Sequence, residues 1–241
     1  MSIIGMAKRA GRRLGVGFQL CFDPVMLQLK QLADSGELGR PVDMRGMVLW
    51  QRGFAYYARS GGWAGRRLMP DGTPVYDSIL TNAAAHFLMN MLWLNTPGYG
   101  TLPALGCEAW LARAYPIETF DTAAARFTLP GGCSASLYAS HVAGPENERH
   151  PTLRYRFERA EVLLDPVTWA EQTVTVVMRD GTVRRLGQTV PGVMPKLNGM
   201  ARALETGEPL PCTGETALAE VQSAHLLFAQ PVWQLTDVVR T

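Results

Sequence analysis

The run from Asp77 to Leu94, DSILTNAAAHFLMNMLWL, constrains the fold more than any other stretch of this chain. From Ala83 to Leu94 it holds no glycine, proline or charge, and alanine, leucine and methionine dominate, which predicts a helix. Thr81 or Asn82 stands where an N-cap belongs, and Asn95 with Pro97 marks the end. A helix that is apolar on every side is buried, so other layers must cover it. Asn82, His86 and Asn90 interrupt the apolar pattern at i, i+4 and i+8, along one stripe. Buried polar groups need partners. Two readings of the stripe stay open: a structural hydrogen-bond ladder with a satisfied core histidine, or a His86 that faces a cavity and handles a proton.

The rest of the chain is long enough to cover such a helix. Its 241 residues suit one large domain or one domain plus a fragment. With 47% hydrophobic and 18% charged residues it can bury an ordinary core. Twenty-three basic residues stand against 21 acidic ones, and the pairs Arg12/Arg13, Arg66/Arg67 and Arg184/Arg185 are scattered, which argues against nucleic acid as a partner. Cys21, Cys107, Cys133 and Cys212 form no C-x-x-C pair, and no histidine stands at ligand spacing. No metal site or disulfide framework is expected, and four free thiols fit a reducing cytoplasm. The opening MSIIGMAKRAGRR puts its basic residues after a short apolar tip, the reverse of a secretory signal, and no apolar run has the length of a membrane span. A soluble cytoplasmic protein with no membrane partner is expected.

Taken in order, residues 1–13 read as the tail of an amphipathic helix, and Leu14–Leu20 as a short buried strand. Gly15 and Gly17 do not make a G-x-G-x-x-G phosphate loop. Asp23-Pro24 predicts a helix start with Asp as N-cap, an apolar face of Met26, Leu29, Leu32 and Ala33, and a stop at Gly36. Val42, Met44, Val48 and Trp50 then alternate with polar residues as in a strand. The segment 51–76 has no clean period and gathers Tyr56, Tyr57, Arg59, Trp63, Arg66 and Arg67. Rings and guanidinium forks on a long loop suit a polar ligand, the alternative being aromatics tucked into the core.

Later segments read as strands joined by tight turns: 107–114, then 123–129 and 133–142 around Pro130-Gly131-Gly132. Further strands fall at 153–157, 161–164, and 173–179 with 182–186 around Asp180-Gly181. Helices 195–206 and 215–229 close the chain. His225 reads as structural; for His141 at a strand end and His150 in a polar loop, no partner is visible from the sequence. The expected class is α+β: an open, mostly antiparallel sheet with helices on one face.

VGFQLCFDP, LADSGELGRP, the strand ending in QR, YYARSGGWAG and DSILTNAAAHFLMNML, in that order, resemble the Gfo/Idh/MocA oxidoreductases, as do IETFDTAAARF and LETGEPLPCTGETALAEVQSAH. The resemblance runs from about Arg9 to the end. It implies the C-terminal substrate domain of an enzyme that moves a hydride between NAD or NADP and a sugar, inositol or related polyol. Residues 1–22 would be the last helix and strand of the Rossmann domain, and 23–241 the substrate domain, so the dinucleotide would not be bound by this chain alone. A true truncation and a start assigned too late both fit.

The family's D-x-G-x-H signature maps onto Asn82, Ala84 and His86, with only the histidine kept, and Asp77 is the candidate substitute for the acid. The E-K-P lysine has no counterpart, since Lys8, Lys30 and Lys196 stand in no such context. The resemblance assigns catalysis to His86 and Asn82, and substrate contact to Tyr56, Tyr57, Arg59, Trp63, Asp77 and Asn90. It also implies subunits paired through the sheet face. The alternative is a non-catalytic ligand-binding or dimerisation module.

Overall fold

The structure is a computed structural model that describes residues 2–59, 61–168, 171–190 and 192–235. Helix α1, Ile3–Arg9, is capped by the Ser2 hydroxyl, which accepts from the Gly5 N–H at 3.2 Å. The predicted strand at 14–20 is not formed. Gly15 makes an isolated antiparallel bridge to Thr213, and Gln19–Phe22 closes into a 3-10 turn. The Val16 N–H donates to the Cys212 carbonyl and the Gly214 N–H to that of Leu14, so the segment is pinned to one loop instead of a sheet. Leu20, Cys21 and Phe22 nonetheless pack in the same core as the elements that follow.

Helix α2, Pro24–Asp34, starts as predicted. Asp23 Oδ1 accepts from the Val25 and Met26 N–H groups at 2.9 and 3.1 Å, and Oδ2 takes the Val190 N–H at 2.7 Å. One buried carboxylate thus caps a helix and anchors a distant loop. Strand β1, Pro41–Leu49, follows, and part of the aperiodic segment folds as a short helix α3, Phe54–Ala58.

The central helix α4 is Ala85–Asn95 and begins later than either expected cap. Ser78 and Thr81 explain the delay. The Thr81 hydroxyl accepts from the Ser78 N–H at 2.8 Å and donates to the Tyr76 carbonyl at 2.7 Å, which holds the preceding residues in turns. Such local side-chain bonds compete with helix. Asn82 therefore sits in a turn before α4, and Ala84 at the N-cap offers no side-chain bond.

Strands β2, Gly106–Arg113, β3, Thr122–Thr128, β4, Ser134–Ser140, β5, Arg149–Phe157, β6, Ala160–Pro166, β7, Gln172–Met178, and β8, Val183–Gln188, follow in sequence. Helices α5, Val193–Thr206, and α6, Gly214–His225, precede a short β9, Val232–Gln234. Among the described residues these nine strands form one open sheet in the order β8-β7-β6-β5-β1-β4-β3-β2-β9. The expected α+β class with a mostly antiparallel sheet is the class observed. Two pairings are parallel, β1 with β4 and β2 with β9. Among the described residues no helix is long and apolar enough to cross a membrane.

The core lies between α4 and the inner face of the sheet, where Met44, Val48, Leu137, Leu153, Tyr155 and Val162 are fully buried. Trp93 on α4 is buried too, its Nε1–H donating to the Pro211 carbonyl at 3.1 Å. Lys30 of α2 reaches into this core, pairing with Asp34 at 3.0 Å, donating to the Thr96 carbonyl and lying 5.6 Å from the Trp93 ring. At the middle of β1, a Cβ on Gly46 would stand 2.7 Å from Leu153, 2.8 Å from Leu137 and 3.2 Å from Met91 of α4. The helix can lie this close to the sheet because residue 46 has no side chain. Gly46→Ala is expected to cost about 1–3 kcal/mol through overpacking. Urea unfolding checks this, and an unchanged midpoint would contradict the close-approach role.

Candidate functional site

A cavity of about 330 Å³ opens beside the start of α4. The 3-10 turn supplies Gln19, the end of β1 Trp50 and Arg52, and α3 Tyr56. Asn82 and His86 come from the turn and first helical residues of α4, and Gln172 from β7. A larger cavity, about 720 Å³, runs from α1 past Tyr99 to Leu210, and His86 does not line it.

His86 has its Nδ1 buried without a hydrogen-bond partner, and the edge of the Phe18 ring packs on it with centroids 5.4 Å apart. Burial, and then the nearby Lys196 ammonium, push its pKa down. The imidazole is therefore neutral at pH 7 and able to accept a proton. Lys196 belongs to no recognisable motif, yet α5 lays its chain against Gly17, where a Cβ would meet Nζ at 2.9 Å. Only the fold brings these positions together.

Asn82 donates from Nδ2 to Tyr56 Oη at 3.1 Å and to Asp77 Oδ1 at 3.0 Å. Both amide hydrogens are used, which leaves its carbonyl as an acceptor. Asp77 is 7% exposed, and its second oxygen takes the Gly65 N–H at 2.7 Å. Burial raises its pKa, against the opposing pull of the Gly65 and Asn82 hydrogen bonds and the Arg59 charge. Asp77 thus reaches the site through Asn82 and does not satisfy His86 Nδ1.

Arg59 stacks over Tyr56 at 4.1 Å and Trp63 at 4.5 Å, and Arg52 over Trp50 at 4.0 Å. Such stacking holds a guanidinium flat while its N–H edge stays available. Two of the sequence-derived candidates turn elsewhere. Tyr57 is buried and shares a hydrogen bond of 2.8 Å with His141 Nδ1, packing on Tyr115. Asn90 is fully buried and accepts from the Tyr155 hydroxyl at 2.9 Å, facing the sheet. The polar stripe therefore divides: Asn90 is a structural rung, and His86 faces the cavity. His225 is exposed, with its ring edge-on to Tyr76 at 5.1 Å.

Sequence reasoning missed Arg52, Gln19 and Gln172 as cavity residues. The QR that ends β1 was a usable signal for Arg52; Gln172 carries none, because its strand lies far along the chain. Among the described residues no three His, Cys, Asp or Glu side chains stand close enough to hold a metal ion. Nor do they fit a dinucleotide. A pyrophosphate needs a parallel strand, a glycine loop and a helix N-terminus, and neither parallel pairing here carries that arrangement.

Burial, then the Arg52 charge, push the pKa of His141 from 6.5 down to about 3. The folded chain holds this ring neutral, so its contribution to stability is complete above about pH 6.5 and is lost as the pH falls toward 3. Glu220, raised by burial to about 8, works in the opposite sense between its ordinary 4.5 and 8, so a variant comparison is needed. Wild type is expected to lose about 1.4 kcal/mol per pH unit more than His141→Gln below pH 6. Denaturant titrations at several pH values test this, and parallel slopes would refute it.

A sequence profile described as the GFO/IDH/MocA C-terminal domain matches residues 26–184, well over half of the chain. Among solved structures, the chain is similar to the WlbA dehydrogenase from Bordetella pertussis in complex with NADH and UDP-GlcNAcA, at 19% identity and a TM-score of 0.68. That alignment covers 94% of this chain and 63% of the other. It is similar also to the UDP-N-acetylglucosamine 3-dehydrogenase GnnA from Acidithiobacillus ferrooxidans, at 18% identity and TM-score 0.67 over 94% of this chain and 64% of that one. The aldose-aldose oxidoreductase from Caulobacter crescentus complexed with glycerol matches at 16% identity and TM-score 0.68, over 94% and 64%. At these identities the likeness shows the fold, and the chain spans less than two thirds of each of these relatives. No curated protein sequence matches significantly. Profile and fold agree: the chain belongs to the Gfo/Idh/MocA family and carries its C-terminal domain.

Proposed function

We propose that this chain is the substrate domain of an NAD(P)-dependent oxidoreductase acting on a sugar, inositol or related polyol, with His86 as the proton acceptor. The observation that carries the reading is a neutral imidazole lining a cavity beside the hydrogen-bonded Asn82–Asp77 pair. The sugar ligand and the NADH named for the Bordetella structure support it. On this reading residues 1–22 are the edge of a nucleotide domain and 23–241 the substrate domain. The four free cysteines support a cytoplasmic setting.

Oxidising an alcohol removes a proton from oxygen and a hydride from carbon. No side chain accepts a hydride, and the described residues offer no dinucleotide cradle, so their part is the proton and the orientation. Neutral His86 takes the hydroxyl proton, while the free Asn82 carbonyl accepts from a neighbouring hydroxyl. Asp77 holds the Asn82 amide, and Arg59 with Trp63 holds the Tyr56 ring as one wall. Tyr57 and Asn90 support the site from the core. Asn82 carries no charge to stabilise an imidazolium, and Asp77 lies one hydrogen bond further off.

In an enzyme completed by its nucleotide-binding half, His86→Ala is expected to lower kcat by roughly 100- to 10,000-fold with the thermal melt retained. An undiminished kcat would remove His86 from the chemistry. A mutant that unfolds would instead return His86 to a structural role.

A second role is favoured by the outer sheet face. Trp110, Tyr138 and Met47 are exposed at 47%, 54% and 40%, and strand register sets them in one row through Ala124. An exposed apolar row of this kind on a sheet face suits pairing of two copies. Sedimentation velocity is expected to show a dimer or larger for wild type and a monomer for Trp110→Glu; a monomeric wild type would refute this role.

A further inference from the structure

We propose that the ligand of the His86 cavity is an acidic sugar, whose carboxylate is received by Arg52 and one of whose hydroxyls donates to Gln172. The inference rests on the substrate-domain reading and narrows it from polyols in general to sugar acids. Three observations carry it.

The first is an uncompensated guanidinium. Arg52 lines the cavity, and among the described residues no carboxylate lies within ion-pairing distance of it. Its hydrogen bond is a long one of 3.3 Å to the carbonyl of adjacent Gln51. Its Cζ lies 4.0 Å from the Trp50 ring centroid and 5.5 Å from that of Tyr56, and this stacking leaves the N–H fork for a planar anion.

The second is a buried acceptor with nothing to accept. Gln172 is 2% exposed and lines the same cavity. Its Nε2–H donates to the Pro151 carbonyl at 3.4 Å, and Oε1 has no partner. An acceptor left unsatisfied in the interior costs free energy that a ligand hydroxyl would recover.

The third is the balance of charge around the cavity. Arg52 lines it, and Arg59 stacks on its Tyr56 wall, while Lys196 acts on His86 from α5. Asp77 is already committed to Gly65 and Asn82, and Glu220, which lines a second cavity with His86, is held toward its neutral form by burial. A neutral polyol would leave this positive field facing nothing. The cavity holds about 330 Å³, at the small end for a ligand, and His86 and Asn82 also line a second one of about 620 Å³. The uridine diphosphate arm of the test separates a single sugar acid from a sugar nucleotide.

The test is calorimetric titration of the purified full chain with D-glucuronate, D-glucose and uridine diphosphate, with the His86 imidazole followed by NMR. Glucuronate is expected to bind at least about tenfold more tightly than glucose and to shift the His86 signals. In Arg52→Met the two affinities converge, and Arg52→Lys restores part of the gap. Equal affinities for glucuronate and glucose in the wild type would overturn the acidic-sugar proposal and leave the sugar site standing. Uridine diphosphate binding more tightly than glucuronate, and displaced by it, would overturn the carboxylate in favour of a diphosphate. If neither sugar moves the His86 signals, the proposal and the substrate-domain reading fall together.

Discussion

The packing of α4 on the middle of the sheet is the contact on which the rest of the structure depends. At Gly46 the central strand presents bare backbone, and Met91, Leu137 and Leu153 close over it. Interiors are packed at crystal-like density, so one methyl group at such a point forces the layers apart. The same helix carries Trp93 and Asn90 into the core and His86 to the cavity. Core and site are therefore two ends of one rigid element. A shift of the helix on the sheet would move the imidazole with it.

Burial does unequal work along that helix. Asn90 accepts from Tyr155 through Oδ1, while its buried Nδ2 has no partner, and the bond ties the helix to the sheet. His86 is left with an unpartnered nitrogen, and its surroundings favour the neutral ring. The Lys196 charge acts on it, and the Asp77 carboxylate beside the site is spent on Gly65 and Asn82. The result is a base in a positive field. That arrangement suits a negatively charged ligand and a developing alkoxide, because opposite charge is stabilised where water is excluded.

Several of these features were legible in the residues. The apolar run of α4, the Asp23-Pro24 start and the Asp180-Gly181 hairpin each follow from local chemistry, and each is found. The start of α4 was misread because Ser78 and Thr81 bond to each other and to the backbone, an alternative that cap rules do not weigh. Leu14–Leu20 looked like a strand because its apolar content is right. A strand also needs a neighbouring strand, and among the described residues the segment pairs with the 212–214 loop instead. Tyr56 and Tyr57 were indistinguishable as adjacent loop aromatics, yet one lines the cavity and the other bonds to His141 in the core.

By itself the sequence determined the class of fold, the buried central helix and the histidine on it, because periodicity and local capping act over a few residues. Only the tertiary structure decided that Asp77 supports Asn82, that Lys196 stands near His86, and that Arg52 and Gln172 share one cavity. The physical reason is range. The Lys196–His86 and Arg52–Gln172 pairings span more than a hundred residues and are set by strand order and helix packing, which no local pattern encodes. Asp77 meets Asn82, five residues on, through the turn that precedes α4.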